Sequence, residues 1–188
     1  MTGIGDNAMT PAQKLVLSSA IAAEPTLADA LMYGRDAEIA AWLNADRVSP
    51  STFYVYRTAV PVQDIFDAIT WANFTPQDVP DSSVIYGNRV GICRCKQENL
   101  QTMLLGAQGF LNPSKPNIRA GLQDALTALP SGAGGANKNA GSVAVAATLY
   151  RPATRAEALL ATGTGTTASP GTMTFFGPVM LDEIGGLR

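Results

Sequence analysis

The sequence contains no histidine. That absence removes Ser-His-Asp and Cys-His nucleophile activation and imidazole-ligated metal sites. It also removes the side chain best suited to proton transfer near neutrality. Cysteine is almost as scarce, with two residues, Cys93 and Cys95, in "GICRCK". Two thiolates do not complete the four-ligand shell of a structural zinc, and a disulfide between positions i and i+2 would be strained. They read as ordinary thiols of a reducing compartment. Aromatic residues make up 7% of the chain and charged residues 15%. No apolar run reaches about 18 residues, so no single helix is expected to span a bilayer. The opening "MTGIGDNAMTPAQK" lacks a basic stretch followed by an apolar one, so a protein made and used in a cytoplasm is expected.

What is present is 188 residues, 46% of them apolar, a length that suits one domain with a small appendage. The net charge is −2 and unevenly spread. Residues 1–94 hold ten acids against six bases, and residues 95–188 hold five against seven. This mild asymmetry suits head-to-tail contact between like subunits better than nucleic-acid binding. The densest basic spot, Arg89, Arg94 and Lys96, reads as a solvated face.

Helix signals dominate. Thr10-Pro11-Ala12-Gln13 forms a capping-box signature, and Ala12, Leu15, Val16, Ala22 and Ala23 suggest the buried face of a helix over 11–23. Shorter helices are expected at Pro25–Tyr33 and Asp36–Leu43. "STFYVYRTAV" then predicts a short strand near 52–58, covered on both faces. Pro61 opens a helical stretch through Ile69, with Asp64 and Asp67 on an exposed face. From about Asn88, the spacing of Leu100, Met103, Leu104 and Ala107 predicts an amphipathic helix ending near Gly109. Ser114 is placed to cap another, whose face is Ile118, Leu122, Ala125, Leu126 and Leu129. Val143 to Tyr150 is apolar nearly all round, as for a helix packed on several sides. Pro152 interrupts it before Thr154 opens a new helical spacing, which leaves a kinked helix or two abutting ones. The fold class expected is therefore mainly α, a helical bundle with a short β element. The domain plan is a flexible leader over 1–9, a helix-rich core over 10–161 and an extended arm over 162–188.

Two glycine-rich segments raise a phosphate-loop reading. "GTGTTASPG" has no lysine and follows a helix, whereas a P-loop follows a strand. "SGAGGANKNAG" has Lys138, but Asn139 stands where a Ser or Thr should be. No catalytic, cofactor-binding or metal-binding residue is assigned from the sequence, and no cofactor is expected. The segment "ALLATGTGTTASPGTMTFFGP" instead reads as a hinge that releases a short apolar strand near 172–176. Met173, Phe175 and Phe176, with Leu181 beyond them, are the candidate partner-binding residues. Such a strand could add to a neighbour's sheet or pair with the 52–58 strand of its own subunit.

The order "NPSKPNIRAGLQDAL", "GAGGANKNA" and "RPATRAEALLATGTGTTASPGTMTFFGPVMLDEI" resembles a family of tailed-bacteriophage head–tail connector (adaptor or neck) proteins. The hallmarks are Asn112-Pro113-Ser114 before a helix, Thr154-Arg155-Ala156-Glu157 within one, the "ATGTGTTASPGTM" loop and Gly177-Pro178. The likeness covers about residues 10–185, and Pro152 departs from the family pattern. It implies a non-catalytic virion subunit at the head–tail interface, assembled in the host bacterial cytoplasm. It implies a homo-oligomeric ring, commonly of twelve copies, lying between the portal protein and a stopper or tail terminator protein. Genomic DNA would pass through the lumen without specific binding, and no membrane is involved. The alternatives are a capsid decoration or tail-associated structural protein and, from another class, a nucleotide-dependent enzyme.

Overall fold

The computed structural model describes residues 9–175 and 177–187. Helix dominates, with a small amount of strand in two two-stranded antiparallel sheets, so the fold is mainly α with short β. In chain order the elements begin with α1 (Pro11–Ala23), α2 (Ala28–Tyr33), α3 (Asp36–Asn44), β1 (Tyr54–Tyr56) and β2 (Val60–Pro61). They continue with α4 (Val62–Ala68), α5 (Val84–Gly106), β3 (Phe110–Leu111), α6 (Pro116–Leu126) and α7 (Ser142–Thr148). The last are β4 (Tyr150–Pro152), α8 (Arg155–Leu160) and α9 (Leu181–Ile184). Among the described residues no single helix is long and apolar enough to cross a membrane.

The chain forms two compact units. One joins the residues up to Tyr56 with those from Arg151 onward, and the other is Arg57–Tyr150. This division differs from the expected core at 10–161 with an arm at 162–188. The reason is that the C-terminal segment packs into the same core as α1 and α3. That core includes Leu17, Ile21, Ile39, Leu43, Phe175 and Ile184, each at most 4% exposed. A smaller cluster of Val55, Ala153, Ala158 and Met173 lies in the same unit. Of the expected leader, residues 1–8 fall outside the described residues, and Met9 is buried in the first core.

Local chemistry explains where many helices start. Gln13 N–H donates to Thr10 Oγ1 at 3.3 Å, and Thr10 N–H donates to Gln13 Oε1 at 2.8 Å. Pro11 fills the first helical position, where no N–H is required. The face α1 buries is Leu17 and Ile21, however, while Leu15 and Val16 are exposed. An alanine- and leucine-rich helix offers apolar residues on all sides, so its packing partner selects the face.

The second unit has its own core, with Ile65, Leu100, Leu122, Leu126 and Leu129 all at most 2% exposed. Leu100 and Leu104 of α5 and Leu122, Ala125 and Leu126 of α6 are the buried residues their spacing predicts. Ser114 does not cap α6. Its hydroxyl donates to Asn112 Oδ1 at 2.5 Å, and the cap position is Lys115. Nor is α7 packed on several sides: Val145 is its buried residue and Val143 is 83% exposed. Near Pro152 the chain is neither kinked helix nor abutting helices. It leaves α7 at Thr148, runs as β4 and re-enters helix at Arg155.

Basic residues read as a solvated face are tied down in this unit. Lys96 Nζ donates to the carbonyls of Asp124 at 2.5 Å and Thr127 at 3.1 Å, which satisfies acceptors at the C-terminus of α6. Arg89 pairs with Asp78 and donates to the Gly132 carbonyl. Arg94 remains exposed, bonded along α5 to Glu98. Of the two free cysteines, Cys93 is buried and Cys95 exposed, and burial pushes the Cys93 thiol above its ordinary range.

Candidate functional site

The segment after α8 is a built loop. Thr162 and Thr172 exchange backbone hydrogen bonds, Thr162 N–H to Thr172 O at 3.0 Å and Thr172 N–H to Thr162 O at 2.9 Å. The loop between them is pinned to β1: Tyr54 N–H donates to Gly165 O, Gly171 N–H to Tyr54 O and Tyr56 N–H to Gly171 O. The pairing of Val55 with Gly171 is parallel. Of the two arrangements open from the sequence, the one with the strand of the same subunit is observed. It is a single isolated bridge, Val55 with Gly171, in place of a regular strand over 172–176, and Thr172 bridges to Thr162 across the loop. The Phe53 ring fills the loop. A Cβ at Gly165, whose φ is +67°, would stand 2.2 Å from ring carbons, and one at Gly171 would stand 2.7 Å away. Only glycine admits that approach.

Beyond the loop the residues alternate. Met173 is 6% exposed against Val55 and Ala158, Thr174 faces out, and Phe175 is 4% exposed in the larger core. Thr174 Oγ1 donates to Leu160 O at 2.7 Å, and Gln13 Nε2 donates to Thr174 O at 3.0 Å. Asn44 then clamps Val179 in the manner of a strand neighbour, accepting from its N–H at 2.8 Å and donating to its carbonyl at 3.0 Å. Of the four candidate partner-binding residues, Met173 and Phe175 are thus in their own subunit's interior. Leu181 is 58% exposed, and Phe176 lies outside the described residues.

A buried ion pair, missed in the sequence, stands beside this segment. Glu157 is 3% exposed, and its two carboxylate oxygens accept from Arg151 Nη1 at 2.8 Å and Nη2 at 2.6 Å. Glu157 Oε2 also accepts from Thr154 N–H at 3.0 Å, while Glu157 N–H donates to Thr154 Oγ1 at 3.2 Å. The pair lines a cleft of about 480 Å³ with Asn44 and Asp46. Burial pushes the Glu157 carboxyl up, but the Arg151 and Thr154 hydrogen bonds outweigh it and hold it below its ordinary range. The same bonds raise the Arg151 guanidinium. Glu157 therefore stays ionised near neutrality, with its acceptors occupied by Arg151 and the α8 cap. The arrangement orders the chain between β4 and α8. Thr154 was legible as a cap, whereas nothing local marks Arg151 as the partner of Glu157.

A second cleft in this unit, about 470 Å³, is lined by Trp42, Pro50, Leu159, Arg47, Arg155 and Glu24, with two hydroxyls. The Arg155 guanidinium lies 5.1 Å from the Trp42 ring centroid and donates to Trp42 O at 3.0 Å. Arg47 stacks at 5.3 Å from the Phe53 ring.

In the second unit the other glycine-rich segment is already occupied by the chain's own carboxylate. Gly134 N–H donates to Asp78 Oδ1 at 3.2 Å, and Arg89 holds the other Asp78 oxygen. Lys138 and Leu129 exchange backbone hydrogen bonds at 2.7 and 2.9 Å, closing this loop. Among the described residues no three Cys, Asp or Glu side chains converge as metal ligands. Comparison with protein-family models, with curated proteins and with solved structures finds no match to this chain.

Proposed function

We propose that the chain is a structural subunit of a tailed-phage head–tail joint, a ring-forming adaptor or neck protein bridging the portal to a stopper or tail terminator. No catalysis and no cofactor is assigned to it. The observation that carries this reading is apolar surface on rigid helix. On the N-terminal half of α5, Val84, Ile85 and Ile92 are 77%, 73% and 47% exposed. Gly87 and Gly91 lie among them, and a Cβ at either would meet nothing within 4 Å. Apolar residues grouped on one element, with room for close approach, suit a subunit covered by a partner. The likeness of 112–126, 132–140 and 151–184 to the connector family supplies the identity of that partner.

In this role the ring, twelve copies by resemblance, is assembled in the host cytoplasm and lets DNA pass without specific binding. Negative-stain imaging of the purified chain mixed with its phage's portal protein tests the reading. Rings stacked on the portal are expected. Particles coated over the whole capsid with the portal left bare would replace it with a decoration role. A stable monomer whose melting temperature rises with added nucleotide would replace it with a nucleotide-dependent activity.

A further inference from the structure

The cleft at Trp42 contains two cations and no ion pair for either among the described residues. Arg47 is engaged by the Phe53 ring, and Arg155 by the Trp42 ring and carbonyl. Glu24 is the acid in the lining, and its carboxylate accepts from Thr26 N–H and Oγ1. Two arginines against one glutamate leave the lining at +1, beside the apolar surfaces of Trp42, Pro50 and Leu159. Tryptophan and arginine in a concave site are the residue types that dominate binding energy at protein interfaces. An occupant should present an apolar side chain next to a free carboxylate.

The same unit displays such a group. Met180 and Leu181 are 55% and 58% exposed, and Asp182 beside them is exposed with no hydrogen bond or ion pair among the described residues. The three are held out rigidly. Val179 before them is clamped by Asn44, and Ile184 and Leu187 after them are buried. A preformed knob loses little conformational entropy on docking. Two other exposed groups are engaged within the chain: the Asp81 carboxylate accepts from Ser83 N–H, and Tyr33 lies under the Arg35 guanidinium.

Geometry sets the symmetry of the contact. Trp42, in the cleft, and Asn44, which holds the base of the knob, are two positions apart on α3. At about 100° per residue they leave the helix about 200° apart, on opposite flanks. Patches on opposite flanks of one unit meet only between different copies, head to tail. Repetition of that contact closes a ring when the rotation per step divides the circle.

We propose that Met180, Leu181 and Asp182 of one copy seat in the Trp42 cleft of the next. Leu181 packs on Trp42 and Leu159, and Asp182 lies between the Arg47 and Arg155 guanidiniums. This rests on the ring-forming reading above and names its contact. The test is sedimentation velocity of the full chain over a range of concentrations. Wild type self-associates. Arg47→Glu and Asp182→Arg each weaken association about tenfold or more, the scale of one lost charge pair with its repulsion. The chain carrying both substitutions restores it, because the swapped charges meet again between neighbours. Neither side chain hydrogen-bonds within the described chain, but Arg47→Glu also loses its stacking on Phe53, so Arg47→Gln, which loses the same stacking without reversing the charge, serves as the stability control. A wild type that stays monomeric, single variants that associate like wild type, or a double variant no better than the singles would each overturn the proposal. If wild type assembles and the variants assemble equally, the ring stands and this contact falls. If charge-swap rescue is seen but the protein is absent from the head–tail joint, the contact stands and the location falls.

Discussion

The two glycine-rich segments, 130–141 and 162–172, look alike in sequence and are held by different physics. The first is organised by charge: Arg89 and Asp78 reach in, and Asp78 takes the Gly134 N–H. The second is organised by shape: the Phe53 ring presses against Gly165 and Gly171, and β1 takes the backbone hydrogen bonds. In the first, Gly134 supplies a conformation alone, while Gly132 and Gly141 make room for backbone carbonyls. In the second, glycine supplies a conformation and also the space a ring occupies. An added methyl group should be tolerated at Gly134, which has open space around it, and not at Gly165, which the ring crowds.

The sharpest break in that comparison is Gly165→Ala. The new Cβ would meet Phe53 at 2.2 Å at a φ of +67°, so overpacking adds to left-handed strain. A loss of about 3–5 kcal/mol is expected by denaturant unfolding. Next comes Glu157→Gln, beside the ring-filled loop, at about 2–3 kcal/mol. It weakens the two contacts to Arg151 and the cap on Thr154.

That variant also has a pH signature. The folded carboxyl of Glu157 lies below its unfolded value. The pair's stabilisation is therefore complete above the unfolded pKa of about 4.3 and is lost as pH falls through the lower folded value. Wild type should lose stability over that acid range by a margin that Glu157→Gln lacks, as read from unfolding midpoints against pH.

Asp78→Asn tests the charge-held loop. Its loss should be smaller than that of Glu157→Gln, and the difference from wild type should shrink as salt is raised, because the pair is partly exposed. Arg89 holds the Asp78 carboxyl below its ordinary range, so this contribution too is lost on acidification. The smallest effect is Gly134→Ala. Its φ is +63°, but the added Cβ would meet nothing within 4 Å, so about 1 kcal/mol of backbone strain is expected. Equal losses at Gly165 and Gly134 would break the distinction between the two loops.

Sequence reasoning recovered what is encoded within a turn or two of chain. The Thr10 capping box, the Thr154 cap and the buried stripes of α5 and α6 are of that kind. It failed where a local group had two possible partners. Ser114 could cap a helix or bond Asn112, and a side chain two residues away competes on equal terms with the helix N-terminus. Lys96 and Arg89 looked solvated because their partners, at Asp124 and Asp78, are 28 and 11 residues away. The Trp42 cleft was invisible for the same reason: the bond from Arg155 to Trp42 spans 113 residues.

The sequence by itself determined that the chain is mainly helical, because caps, prolines and apolar spacing act over about four residues and need no knowledge of the rest. It also determined that 173–175 could not rest in water, since alternating apolar residues must be covered. Only the tertiary structure decided what covers them. Met173 and Phe175 are covered by their own unit, beside a glycine loop whose fit to Phe53 depends on residues more than a hundred positions apart. The free energy of that burial comes from surfaces that only the folded chain brings together, so composition can demand a partner but cannot choose it.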